Sequence, residues 1–223
     1  MRTRLALQAL TKLLLGLIII GLMLFLPAGD FGYRNGWVFI VVMFTPMILL
    51  GCVMLALSPE LLQKRLNAKE KMSEQRWVVK LSGLLFSAAF IIAGVCYRYD
   101  WAMLPQWTMW LGVGVFLLSY AMYAEVMREN AYLSRTIEIQ EGQRVIDSGL
   151  YAIVRHPMYT ATILLFLSIP VILGSLISSL VMLLYIPIIA QRIRYEEQFL
   201  DKELDGYKEY KKRVRYKIIP FIW

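Results

Sequence analysis

The chain has 223 residues, 59% of them hydrophobic and only 18% charged, with a mean hydropathy of +0.57. An ordinary soluble domain is excluded by this balance, and an integral membrane protein is expected. The formal net charge is +8, but the Lys and Arg residues gather beside the apolar runs, which fits an anionic membrane leaflet better than nucleic acid.

Apolar runs at 5–26, 37–57, 77–97 and 106–127 each approach the ~20 residues that a helix needs to cross the hydrocarbon core, so four transmembrane helices are predicted. The first follows Arg2 and Arg4 but is longer than a signal-peptide core and lacks a clear cleavage pattern, so it is expected to be retained. Cys52 and Cys96 lie inside such runs as small hydrophobes, and with one histidine in the chain neither a disulfide nor a metal centre is expected. In the 58–76 connection Glu60, Lys64, Arg65, Lys69, Glu70, Lys71 and Glu74 read as a solvated face, while Glu125 and Glu129 close the fourth helix near its mouth.

Between 128 and 155, Ile137-Glu138-Ile139 and Arg144-Val145-Ile146 flank Gln140-Glu141-Gly142-Gln143 as two short extended pieces about a turn. Asp147-Ser148-Gly149 makes a second turn. The apolar stretch 158–190 is too long for one span, and breaks near Ile169-Pro170 and Gly174-Ser175 predict a helical hairpin. The tail over 192–214 is predicted as an amphipathic helix, with Tyr195, Phe199, Leu200, Leu204, Tyr207, Tyr210 and Val214 on one half. Gly206 is its weak point, at ~1 kcal/mol relative to Ala.

The expected fold is a single all-α membrane domain with about six membrane helices, including the hairpin in its carboxyl-terminal half, and a cytoplasmic amphipathic helix. Residues 1–127 supply the four amino-terminal spans and 128–223 the region expected to carry chemistry. Lys and Arg number three in the amino-terminal segment, five over 58–76, four over 128–155 and nine from 192 onward, against one each around Arg34 and Arg98. The positive-inside rule therefore places the amino terminus, both rich connections and the tail in the cytoplasm.

The one histidine, His156, lies in Arg155-His156-Pro157-Met158-Tyr159, where a charged connection turns apolar. Pro157 suits the first position of a helix, which leaves His156 where Ser, Thr, Asp or Asn would cap better. That helix start offers N–H groups and a positive dipole end to a carboxylate or phosphate, with Arg155 beside it. The rings of Tyr151 and Tyr159 are either interface-belt residues or neighbours of a bound cation. On the tail's helical wheel Arg192 and Glu196 fall in the apolar half and Glu197 at its edge. They form either a surface i,i+4 pair or, together with Arg194, part of a site, since inward ionisable groups beside a membrane demand partners.

Taken together, Gly149-Leu150-Tyr151, Arg155-His156-Pro157-Met158-Tyr159, Glu196-Glu197, Gly206-Tyr207-Lys208-Glu209-Tyr210 and the late Pro220 resemble the isoprenylcysteine carboxyl methyltransferase family and the related phospholipid methyltransferases. The resemblance covers about the last third of the chain and departs from the family where Thr160 and Ala161 replace a glycine shortly after the tyrosine. It implies S-adenosyl-L-methionine as methyl donor, held on the cytoplasmic side by Tyr151, Arg155, His156, Pro157, Tyr159, Glu196 and Glu197. It further implies a lipophilic or lipidated acceptor drawn from the membrane lipid phase. Physical chemistry agrees: rings favour a sulfonium, a glutamate accepts an ammonium and a helix start receives a carboxylate. For a carboxylate acceptor of isoprenylcysteine type, Arg192 or Arg194 orients it beside Glu196. An amine acceptor, as in phospholipid methylation, needs Glu196 or His156 to take a proton. Two readings of other classes stand beside this one: a membrane reductase of sterol-reductase type using NADPH, and a non-enzymatic transporter or scaffold.

Overall fold

The computed structural model describes residues 2–66, 73–130, 132, 139 and 141–223. Its elements are α1 (Arg2–Ala28), α2 (Arg34–Leu57), α3 (Pro59–Leu66), α4 (Ser73–Tyr99), α5 (Gln106–Glu129), a 3-10 turn (Gly149–Ala152), α6 (Pro157–Leu173), α7 (Leu176–Met182), α8 (Tyr185–Glu203) and α9 (Tyr207–Arg213). Among the described residues the fold is all-α, its one β feature being an isolated bridge between Met103 and Ser175. The stretches Arg2–Ala28, Arg34–Leu57, Trp77–Tyr99, Gln106–Glu129 and Leu176–Glu203 are long and apolar enough to cross a membrane, and Pro157–Leu173 is a shorter apolar helix. The chain is an integral membrane protein, and the four predicted amino-terminal spans are present as α1, α2, α4 and α5.

The connection after α2 differs from a purely solvated loop. Pro59 opens α3, as its missing N–H permits, and Leu62 of α3 is buried with Leu5 and Met54. Glu60 remains exposed, whereas Lys69, Glu70 and Lys71 lie outside the described residues. The predicted Ile137-Glu138 piece also lies outside them; Glu141 and Gly142 form a turn, and 143–147 is irregular instead of extended in a ladder.

A core of Leu24, Phe39, Phe90, Phe116 and Ile172 ties α1, α2, α4, α5 and α6 together. Helix α6 packs most extensively on α5, and a Cβ at Gly112 of α5 would stand only 2.9 Å from Ile172. Glycine permits that close approach.

The hairpin breaks at Gly174–Ser175 as predicted, but Pro170 sits inside α6 without ending it, a placement membrane helices tolerate when neighbours satisfy the freed groups. With 17 residues, α6 is about 25 Å long, and its last carbonyls end inside the protein. They are satisfied there: Asn35 Nδ2 donates to Ile172 O at 3.0 Å, Tyr33 Oη to Leu173 O at 2.5 Å and Leu104 N to Gly174 O at 2.8 Å. The hairpin tip is thereby plugged by the α1–α2 and α4–α5 connections.

The tail helix is not a separate element beginning at Arg192. The hairpin's second arm carries on through α8 to Glu203, then breaks at Leu204–Gly206 with Gly206 at φ +80 before α9 begins. Gly206 thus redirects the chain instead of merely weakening one helix. The predicted apolar half folds into a cluster of Leu200, Leu204, Tyr207, Tyr210 and Val214 that also takes in Val145.

Candidate functional site

At the start of α6 the sequence Arg155-His156-Pro157 forces an abrupt change of backbone. Pro157 occupies the first helical turn, and His156, the N-cap, makes no capping bond with its side chain. The turn is held by a returning stretch of tail. Arg155 N donates to Tyr216 O at 2.9 Å, His156 N to Lys217 O at 2.8 Å, and Thr160 Oγ1 to Ile218 O at 2.7 Å. The backbone that carries the histidine is therefore fixed at the helix start.

Behind it stands Glu197, 6% exposed. Its Oε1 accepts from Arg155 Nε at 2.8 Å and lies 3.3 Å from His156 Nε2; its Oε2 lies 2.8 Å from Lys217 Nζ. Arg155 also donates from Nη1 to Val214 O at 2.8 Å and to Arg215 O at 2.7 Å. A buried carboxylate so surrounded is neutralised and hydrogen-bonded, the condition under which a buried charge is tolerated. Arg155 consequently serves this cluster and the tail carbonyls, instead of standing beside an open helix start as the sequence reading had it.

In front of the histidine, Tyr159 Oη donates to Glu196 Oε2 at 2.5 Å and accepts from Arg192 Nε at 2.9 Å. Arg192 and Glu196 are one turn apart on α8 and both reach the α6 tyrosine, so the i,i+4 pair is an interhelical clasp. Glu196 is part-exposed while Glu197 is buried, the reverse of the wheel's ranking. The wheel assumed one straight helix from 192 to 214; the break at Leu204–Gly206 and the returning 214–218 stretch bury the Glu197 edge instead.

These groups border a cavity open to solvent, lined among others by Tyr151, Arg155, His156, Met158, Tyr159, Arg192, Glu196, Tyr207 and Tyr210. Tyr151 is set by the 3-10 turn: its Oη accepts from Asn130 Nδ2 at 2.9 Å and its carbonyl accepts from Tyr210 Oη at 2.7 Å. Glu129 anchors the same turn by accepting from Leu150 N at 3.1 Å. At Gly149, with φ +51, a Cβ would stand 1.3 Å from Glu129 Oε1, so this glycine is required by both backbone and space. Tyr207 is 4% exposed, and its hydroxyl has no hydrogen-bond partner among the described residues. Burial, with the charges of Glu197 and Glu196 behind it, raises the Tyr207 pKa well above the usual phenol range.

Of the residues singled out by sequence, His156, Tyr159, Glu196, Tyr151, Arg155 and Arg192 come together at the cavity. Pro157 shapes the backbone beneath it, Glu197 lies one layer behind, and Arg194 is exposed on α8 away from the lining. Sequence reasoning missed Asn130, Tyr132 and 143–146, which line the cavity from the connection after α5, and Lys217, the third partner of Glu197. For Lys217 there was no signal beyond its charge.

Comparison with known proteins adds an independent line. Residues 108–202 match the model of the isoprenylcysteine carboxyl methyltransferase (ICMT) family. The chain is 28% identical over 159 residues to Protein-S-isoprenylcysteine O-methyltransferase B of Arabidopsis thaliana, covering 65% of this chain and 80% of that protein. It is 34% identical over 91 residues to Delta(14)-sterol reductase TM7SF2 of Mus musculus, covering 40% of this chain and 22% of that protein. The matched part thus spans about a fifth of the reductase's length.

Proposed function

We propose, from the match of residues 108–202 to the ICMT family, that the chain is a membrane methyltransferase that uses S-adenosyl-L-methionine to methylate a lipophilic acceptor, a carboxylate of isoprenylcysteine type, at the cytoplasmic face. The observation that carries this reading is the convergence of His156, Tyr159 and Glu196 on one cavity, since the resemblance implies cofactor contacts at His156, Tyr159 and Glu196 or Glu197.

The residues present fit such a donor. The cavity combines apolar and aromatic walls with a few charged groups, as small-molecule sites do. Tyr151, Tyr159 and Tyr210 supply ring faces for a sulfonium, and Glu196 supplies a carboxylate for an ammonium. When bound, the donor supplies an activated methyl group for in-line displacement. What the protein contributes is alignment and exclusion of water. Tyr159 fixes Glu196 and Arg192 against one another, and Glu197 fixes His156 from behind, so the cavity wall is organised before ligand enters. Arg192 places positive charge in that wall, which favours a carboxylate acceptor; such an acceptor is already ionised near neutrality and needs no base. Arg194, being exposed, is not assigned this role.

The cytoplasmic placement rests on the excess of Lys and Arg in the connections at this end of the bundle. A second reading is favoured by one observation, the identity shared with the sterol reductase: the same helical scaffold would then serve a nicotinamide dinucleotide. Incubating the purified protein with radiolabelled S-adenosylmethionine and a membrane-lipid extract tests the proposal. Transfer of label to a base-labile methyl ester is expected; an unlabelled extract, with NADPH consumed in a parallel assay, would favour the reductase.

A further inference from the structure

One apolar turn is anchored in the core but carries its tip outside both the spans and the core. After the stretch that clamps Arg155 and His156, the chain folds into a tight turn over 218–223. Ile218 N and Ile219 N both donate to Trp223 O at 3.0 Å, and Trp223 N donates to Ile219 O at 3.1 Å. The base of the turn is docked: Ile218 is buried, and Trp223 packs against the cluster containing Val78, Tyr159, Ile163 and Tyr185. Lys217 Nζ lies 5.4 Å over the Trp223 ring. The tip points the other way, with Phe221 86% and Ile222 77% exposed. Phe221 also sits at φ +66, a conformation aromatic residues rarely adopt; the turn's hydrogen bonds hold it there.

We propose that this tip is a membrane-contacting knob that inserts Phe221 and Ile222 into the interfacial layer of the adjoining leaflet, and that anionic lipid is its occupant. Its level supports this. Ile218 O accepts from Thr160 Oγ1 at 2.7 Å, in the first turn of the apolar helix α6, so the base of the knob stands where an apolar helix begins. The local charge supports it as well: exposed Lys212 and Arg215 lie just upstream of the knob, on either side of Arg213, which pairs with Asp147, and complement anionic headgroups. An aromatic and a branched aliphatic side chain beside basic residues is the chemistry of an interfacial anchor. The geometry has a further consequence. The knob follows directly on Lys217, which pairs with Glu197, so lipid contact tethers the segment that holds Arg155 and His156 in place. This inference rests on the membrane reading alone and is independent of which reaction the cavity carries out.

The test is depth measurement on the full chain in lipid nanodiscs containing anionic lipid. Phe221→Cys is spin-labelled in a Cys52→Ser, Cys96→Ala background, and its relaxation by oxygen and by a water-soluble nickel chelate is compared with that of Lys212→Cys. The label at 221 is expected to be several-fold less accessible to nickel and more accessible to oxygen than the label at 212. Equal nickel accessibility at the two positions would overturn the proposal. Dipolar broadening between labels at 221 would also overturn it, by identifying a second copy of the chain as the occupant.

Discussion

Glu196 and Glu197 are neighbours in the chain, yet one faces the cavity across the Tyr159 hydroxyl at 2.5 Å while the other is sealed behind His156 by Arg155, at 2.8 Å, and Lys217. The ~100° step between successive helical residues separates a cavity-facing carboxylate from a buried one.

The two glutamates should therefore separate on mutation. Glu196→Gln keeps size and removes a negative partner for the donor's ammonium, a charge-assisted bond of about 1.5–3 kcal/mol, so affinity for S-adenosylhomocysteine should fall roughly 10- to 150-fold with thermal stability retained. Glu197→Gln should instead lower stability, on the order of 3–5 kcal/mol, because it leaves the buried Arg155, with the half-buried Lys217 nearby, without a counter-charge. Thermal unfolding and calorimetric titration of both variants check this; equal behaviour of the two would contradict it.

The turn before Tyr151 makes a second prediction. Gly149→Ala places a methyl group against the Glu129 carboxylate, 1.3 Å from Oε1, in a backbone region unfavourable to alanine. Stability and ligand affinity should both drop. Adding Glu129→Ala removes the clash but not the backbone strain, so the double variant should recover part of the loss. A double-mutant cycle with additive effects would show that the two residues are not coupled as described.

Tyr207 should give the opposite sign. Its hydroxyl is buried without a partner, and an unsatisfied buried polar group costs about 1–3 kcal/mol. Tyr207→Phe keeps the ring against Leu200, Leu204 and Val145 and should leave the melting temperature of the ligand-free protein unchanged or raise it. A clear fall in melting temperature would mean that the hydroxyl is partnered in the folded state.

What could be read from the sequence follows a physical line. Spans and the hairpin turn at Gly174–Ser175 were legible because hydropathy and chain length dictate them locally. His156, Tyr159, Glu196 and Arg192 were legible because polar groups at the edge of an apolar run need partners. Pro170 misled, since its lost hydrogen bond does not end a helix supported on its flanks. The relative burial of Glu196 and Glu197 was hidden because it depends on the returning 214–218 stretch, a contact between residues about 60 positions apart from Arg155. Asn130 and Tyr132 were hidden for the same reason: nothing local marks a connection as the wall of a cavity whose other side is α8.

The central claim is that this cavity binds an adenosylmethionine-type ligand through the wall ordered by His156. Calorimetric titration of the purified wild-type chain with S-adenosylhomocysteine, beside NADPH and beside His156→Ala, tests it most directly. The account predicts saturable binding of S-adenosylhomocysteine by the wild type, a clearly raised Kd in His156→Ala, and no binding of NADPH. Saturable binding of NADPH with none of S-adenosylhomocysteine would contradict it.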